Sequence, residues 1–128
     1  VFMCDHYVEQ TGKPVSIKLK KLQDKLAMTS AMILIFKSRD EKESIPEWEE
    51  IAAVSMSVQN MWLTTHDLGY GCYWSSPKAF ADMTKFASIE VAEGEDFLGF
   101  FYIGTYEKAM PVNLPERKSV EEFVQFVH

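Results

Sequence analysis

Ser44-Ile45-Pro46-Glu47 opens, and Leu68-Gly69-Tyr70-Gly71-Cys72-Tyr73-Trp74 closes, the stretch of sequence that decides how this chain folds. Ser44 is placed to cap a helix, Pro46 is tolerated in a first turn, and Glu47 completes a capping box. The helix should run to about Leu68, with Gly69 as its C-terminal stop. From Ile51 to Thr65 it carries no charge. Ile51, Val54, Met56, Val58, Met61 and Trp62 point in almost every direction around it, and a helix that is apolar all round is buried on all sides. It is too short, and too rich in Ser, Thr, Gln and Asn, for a membrane span. A chain of 128 residues has limited capacity to surround such a helix, so a dimer interface is the expected cover for the rest. Beyond Gly69, Tyr70–Trp74 reads as a strand that ends in the turn Ser75-Ser76-Pro77.

Working outward, Phe97-Leu98-Gly99-Phe100-Phe101-Tyr102-Ile103 is the most strand-like run of the chain. Ala31–Phe36 is a second short apolar run, better suited to a buried strand than to a helix. Lys37–Ser44 reads as a charged loop. Ile17–Ala27 has an amphipathic pattern in which Leu22 and Leu26 share a face and lysines occupy the outer side. Val1–Lys13 reads as the end of a helix, blocked from continuing by Pro14. Lys78–Phe86 reads as a short helix, Glu93–Asp96 as a turn and Ala109–Pro115 as irregular. Val120–Val127 has a helical pattern with Ser119 as its cap. Helices alternating with strands point to a sheet covered by helices.

Composition sets outer bounds. The chain is 47% hydrophobic and 25% charged, an ordinary globular balance, and its length suits one domain over residues 1–128. A net charge of −6 argues against a nucleic-acid binder, which needs a clustered basic surface. Two cysteines, Cys4 and Cys72, build no disulfide framework, and the expected compartment is the cytoplasm. His6, His66 and His128 are too scattered for a metal site, so none is expected. No membrane partner is expected either.

Three features invite chemistry, each beside a plainer reading. Lys13–Lys25 holds five lysines against the single acid Asp24, which suits an anionic cofactor or simply a solvated helix face. Trp74-Ser75-Ser76-Pro77 ends a strand in a polar turn whose free N–H and hydroxyl groups suit a flat heterocycle, or form an ordinary turn. Arg117-Lys118 precedes a helix start and suits a phosphate, or forms a surface pair. No Walker loop, nucleophile elbow or third fingerprint glycine after Gly69-Tyr70-Gly71 is present.

The order of four segments carries a resemblance. Ile45-Pro46-Glu47-Trp48-Glu49-Glu50, Val58-Gln59-Asn60-Met61, Leu68-Gly69-Tyr70-Gly71-Cys72-Tyr73-Trp74-Ser75 and Phe97-Leu98-Gly99-Phe100-Phe101-Tyr102-Ile103-Gly104, closed by Arg117-Lys118-Ser119-Val120-Glu121-Glu122, resemble the nitroreductase family, in its small single-domain branch. The resemblance implies an α+β fold with a central antiparallel or mixed sheet flanked by helices, and a homodimer. It implies FMN at the subunit interface, NAD(P)H as co-substrate, and ping-pong transfer of electrons to a nitroaromatic, quinone or similar small-molecule acceptor. The alternative is a non-catalytic flavin-binding or dimeric structural module on the same fold. By the resemblance, Tyr73, Trp74, Ser75 and Ser76 line the flavin, and Arg117 with Lys118 reaches its phosphate. No catalytic dyad is implied, because the flavin carries the chemistry. The family's N-terminal third, with its Arg-Ser-x-Arg type motif, has no counterpart in this sequence.

Overall fold

The computed structural model describes residues 2–83, 89–106, 116–125 and 127. Helices α1 (Phe2–Thr11) and α2 (Ile17–Ala27) precede strand β1 (Ala31–Ser38). The long helix α3 (Glu47–Asp67) leads to strand β2 (Gly71–Ser75), a 3-10 turn at Lys78–Phe80, and strand β3 (Glu95–Gly104). The sheet has three strands in the order β1-β3-β2, and both pairings are antiparallel. The fold is therefore α+β, with helices on both faces of an antiparallel sheet, as the alternation of patterns suggests.

The central strand explains its own sequence. β3 is covered on both faces, so it needs apolar residues at successive rather than alternate positions. Phe100, Phe101 and Tyr102 are all buried. Phe100 and Tyr102 join Met3, Tyr7, Leu19 and Leu22 in a core beneath α1 and α2. Phe101 joins Ile35 and Val58 in a second core beneath α3. A bulge interrupts the ladder, where Ile35 faces Gly99 but Phe36 faces Phe97. The extra residue on β3 puts Phe97 on the same side as Phe100, and their rings meet edge to face at 4.7 Å.

Gly69 ends α3 as its position suggests. It sits at φ +82°, its N–H donates to His66 O at 2.9 Å, and the Tyr70 N–H donates to Thr65 O at 3.1 Å. That double closure is a Schellman motif, and its left-handed residue favours glycine.

Several local expectations need correction. Ser44 does not cap α3; Pro46 stands at the cap and no side chain bonds the first turn. The Ser44 hydroxyl donates to Asp40 instead, and Glu47 is drawn to Lys37. A nearby charged side chain outcompetes the helix end for each member of the expected box, the Asp40 carboxylate for Ser44 and the Lys37 ammonium for Glu47. Lys37 is not in a loop: β1 continues through Ser38. The helix expected over Val120–Val127 is a single 3-10 turn at Val120–Glu122, and Phe123, Val124 and Gln125 carry no helix. Ser119 donates to Glu121 rather than accepting from a first-turn N–H, and residues 116–125 are exposed. So short a segment without packing cannot meet the cost of helix nucleation. Of the helix expected over Lys78–Phe86, the described part holds only a 3-10 turn at Lys78–Phe80, with Ala81 and Asp82 carrying no helix; its last three residues and the stretch Ala109–Pro115 lie outside the described residues.

α3 is buried within this chain on one side only. Glu50, Val58 and Thr65 are buried, whereas Trp48, Met56 and Leu63 are 66%, 63% and 61% exposed. The absence of charge along this helix therefore does not reflect burial within one chain.

Candidate functional site

The two faces of the sheet separate the candidate residues. On β2, Tyr73 and Ser75 alternate with Cys72 and Trp74. Cys72 and Trp74 pack in the core under α3. Tyr73 lies opposite Tyr102, and Ser75 opposite Phe100, whose side chains belong to the α1/α2 face.

On that face lies a half-open cavity of about 430 Å³. Its walls are apolar at Leu22, Phe80 and Tyr102, and Ser75 and Pro77 form one edge. Lys18, Lys21 and Lys25 of α2 reach it, with Lys78 from the 3-10 turn. No carboxylate lines it, and none of these four lysines has a salt bridge to an acid among the described residues. The local sequence explains the arrangement. Ser16 caps α2, accepting from the Leu19 N–H at 3.1 Å, and fixes the phase in which Leu19 and Leu22 turn inward. Residues 18, 21 and 25 then follow one another at helical spacing along the neighbouring stripe.

Lys25 is the most constrained of the set. Its Nζ lies over two aromatic rings, 4.5 Å from the centroid of Tyr73 and 4.8 Å from that of Tyr102. Burial without a carboxylate lowers its pKa below the ordinary lysine value. Tyr102 shows the counterpart: burial, with a smaller contribution from Tyr73, pushes its phenol up to about 12. Lys25 and Tyr102 also line a second cavity of about 690 Å³, bounded by Thr29, Cys72, Tyr73 and Tyr106. Cys72 is half-buried there; burial pushes its thiol up, and its Sγ donates to Trp62 O at 3.9 Å. A thiol so placed stays protonated and unreactive.

The residues singled out from sequence are thus dispersed. Ser75 lines the smaller cavity and Tyr73 the larger. The Trp74 side chain is on the far face of the sheet, against the α3 core. Ser76 lines neither cavity. Arg117 and Lys118 are exposed and line neither cavity, and Lys118 pairs with Glu122 at 3.6 Å. The α2 lysines are brought into the site by the fold; their helical spacing was the signal, and a solvated face the competing reading.

A family model described as the Nitroreductase family matches residues 4–105. The chain belongs to the nitroreductase family. The matched span runs from α1 to the end of β3 and includes every residue of both cavities except Tyr106. A solved structure, a nitroreductase-like family protein from Bacillus cereus, shares the fold with a TM-score of 0.70 at 22% identity. The likeness covers 97% of this chain and 67% of that one. No curated protein matches. Membership of the nitroreductase family supports a flavin oxidoreductase of a generally dimeric kind. Among the described residues, no helix is long and apolar enough to cross a membrane.

Proposed function

We propose that this chain acts as an FMN-dependent oxidoreductase in the cytoplasm, passing electrons from NAD(P)H to a nitroaromatic, quinone or similar electron-poor acceptor. The reading includes a homodimer with FMN at the subunit interface and ping-pong use of one site by donor and acceptor. The observation that carries it is the cavity beside Ser75, with apolar walls, four lysines and no carboxylate.

The donor set suits FMN. A flat, uncharged ring system fits against Leu22, Phe80 and Tyr102, while ammonium groups compensate negative charge. Bound FMN would supply the hydride chemistry, which is why no protein acid–base pair is needed. The chain's part is to bind and orient. Ser75 and Ser76 offer hydroxyl donors at the strand end, and Tyr73 and the Trp74 backbone extend the same segment. Lys25, held over two rings at the cavity wall, would offer a cation to a bound anionic ligand. Arg117, with Lys118, is assigned to the phosphate, for which a guanidinium offers a fork of donors.

The α3 surface supports the dimer. An uncharged helix face carrying exposed Trp48, Met56 and Leu63 resembles an obligate interface more than a solvated surface.

The test is direct. Purified protein mixed with FMN should retain it through gel filtration, and NADH or NADPH should bleach its visible absorbance without air. Protein that ignores FMN would sink the proposal. FMN that stays bound and resists bleaching would favour the non-catalytic flavin-binding module instead.

A further inference from the structure

The wall shared by the two cavities contains a polar group with nothing to bind. Tyr102 is 4% exposed, and its hydroxyl is buried without a hydrogen-bond partner among the described residues. A buried donor left unpaired is costly, and native structures rarely keep one without a reason. Phenylalanine would fill the same space without that cost. No acceptor among the described residues bonds it, although the Ser75, Thr11 and Tyr7 hydroxyls line the same cavity. Phe100 lies beside Tyr102 with ring centroids 5.9 Å apart, and the nearby cation Lys25 only donates. Trp74 Nε1 is also buried and unpartnered, but Trp74 lines neither cavity. Tyr102 lines both.

We infer that the Tyr102 hydroxyl donates a hydrogen bond to a ring acceptor of the ligand in the Ser75 cavity, and so positions that ligand. The inference rests on the flavin reading above. The ligand class it names is a planar heterocycle with a carbonyl or imine-type acceptor facing β3, and the dioxopyrimidine half of FMN has both. Because the phenol stays protonated at every physiological pH, it keeps a proton to donate there. Lys25, over the same ring, then adds a cation beside that acceptor.

Tyr102→Phe in the full chain is the test, with Tyr106→Phe, which touches only the larger cavity, as the control. FMN affinity is read from flavin fluorescence, the flavin absorption bands from the bound spectrum, and stability from thermal unfolding with and without FMN. Tyr102→Phe should weaken FMN binding roughly 5- to 10-fold, the equivalent of one neutral hydrogen bond. It should also shift the flavin bands, and leave the FMN-free protein as stable as before or more so. Tyr106→Phe should do none of these. Equal affinity and an unchanged spectrum in Tyr102→Phe would overturn the inference while leaving the flavin reading intact. A loss of stability as large without FMN as with it would also overturn it, since the hydroxyl would then serve the fold. Wild-type protein that binds no FMN would overturn the flavin reading and this inference together.

Discussion

Lys25 and Lys37 stand on opposite faces of the same sheet and resolve burial in opposite ways. Lys37 is 2% exposed at the end of β1, yet it is fully compensated. Its Nζ lies 2.6 Å from Asp96, 2.7 Å from Glu47 and 3.9 Å from Glu50. Glu50 is held in turn by Arg39 at 2.7 Å and by the Asp40 N–H at 2.7 Å. Hydrogen bonds to Asp96 and Glu47 raise the Lys37 pKa, whereas burial alone lowers that of Lys25. The α3 face pairs its charges with one another, leaving the buried Glu50 Oε2 without a hydrogen bond among the described residues, and ties β1, β3 and the start of α3 together. The α2 face leaves its cations and the Tyr102 hydroxyl open. Self-satisfied charge serves the fold; unsatisfied charge beside a cavity awaits a ligand.

That contrast breaks if substitutions on the α3 face disturb ligand binding more than stability, or if those on the α2 face do the reverse. The largest expected effect is Phe101→Ala, which empties the core under α3 and edge contact with Trp62 at 5.8 Å. It should cost about 3–5 kcal/mol in urea unfolding. Lys37→Met comes next, because it leaves carboxylates gathered without their cation. Its Tm should fall on the order of 5 °C at neutral pH. The raised Lys37 pKa means that its contribution is full below its ordinary 10.5 and fades as pH rises through the folded value. The lowered Glu50 pKa, owed first to the Asp40 N–H and then to Arg39, has the opposite sign: its contribution is present above 4.5 and fades as pH falls below that. Melting curves across pH should therefore show the Lys37→Met deficit as a plateau between those limits, shrinking beyond each. A deficit that grows at either extreme would contradict the network.

On the other face, Lys21→Glu should weaken FMN binding roughly tenfold and barely move the Tm. Arg117→Ala should also weaken FMN retention; unchanged affinity would remove Arg117 from the phosphate role. The smallest effect on folding belongs to Leu63→Ser, on the outer side of α3. Its unfolding free energy should stay within about 0.5 kcal/mol in a monomeric state. Sedimentation should nevertheless show weaker self-association if that surface is the dimer interface.

The elements were legible in the sequence wherever a single local signal decided them. Gly69 marked the end of α3, and the aromatic run marked β3. The Lys37 network was not legible, because its members come from β1, the start of α3 and the start of β3, and no local pattern links them. The same long-range pull removed the capping box. Ser44 and Glu47 have the right spacing, but Asp40 and Lys37 claim them first. Of the site, the Ser75 strand end was visible as a polar turn. The convergence of Lys18, Lys21 and Lys78 on one cavity was not, since it depends on how the fold brings α2 to the 3-10 turn that follows β2.

The bulge at Gly99 has a mechanical consequence. Gly99 sits at φ +139°, and a Cβ there would fall 2.7 Å from both Ser75 O and Trp74 Nε1. Only a residue without a side chain lets β3 pass so close to the end of β2. Even a single methyl group would act as a wedge, pushing the Ser75 segment away from β3. Gly99 lines neither cavity. It nevertheless sets the clearance of the strand end, so Gly99→Ala would displace the edge of the Ser75 cavity from the opposite side of the backbone.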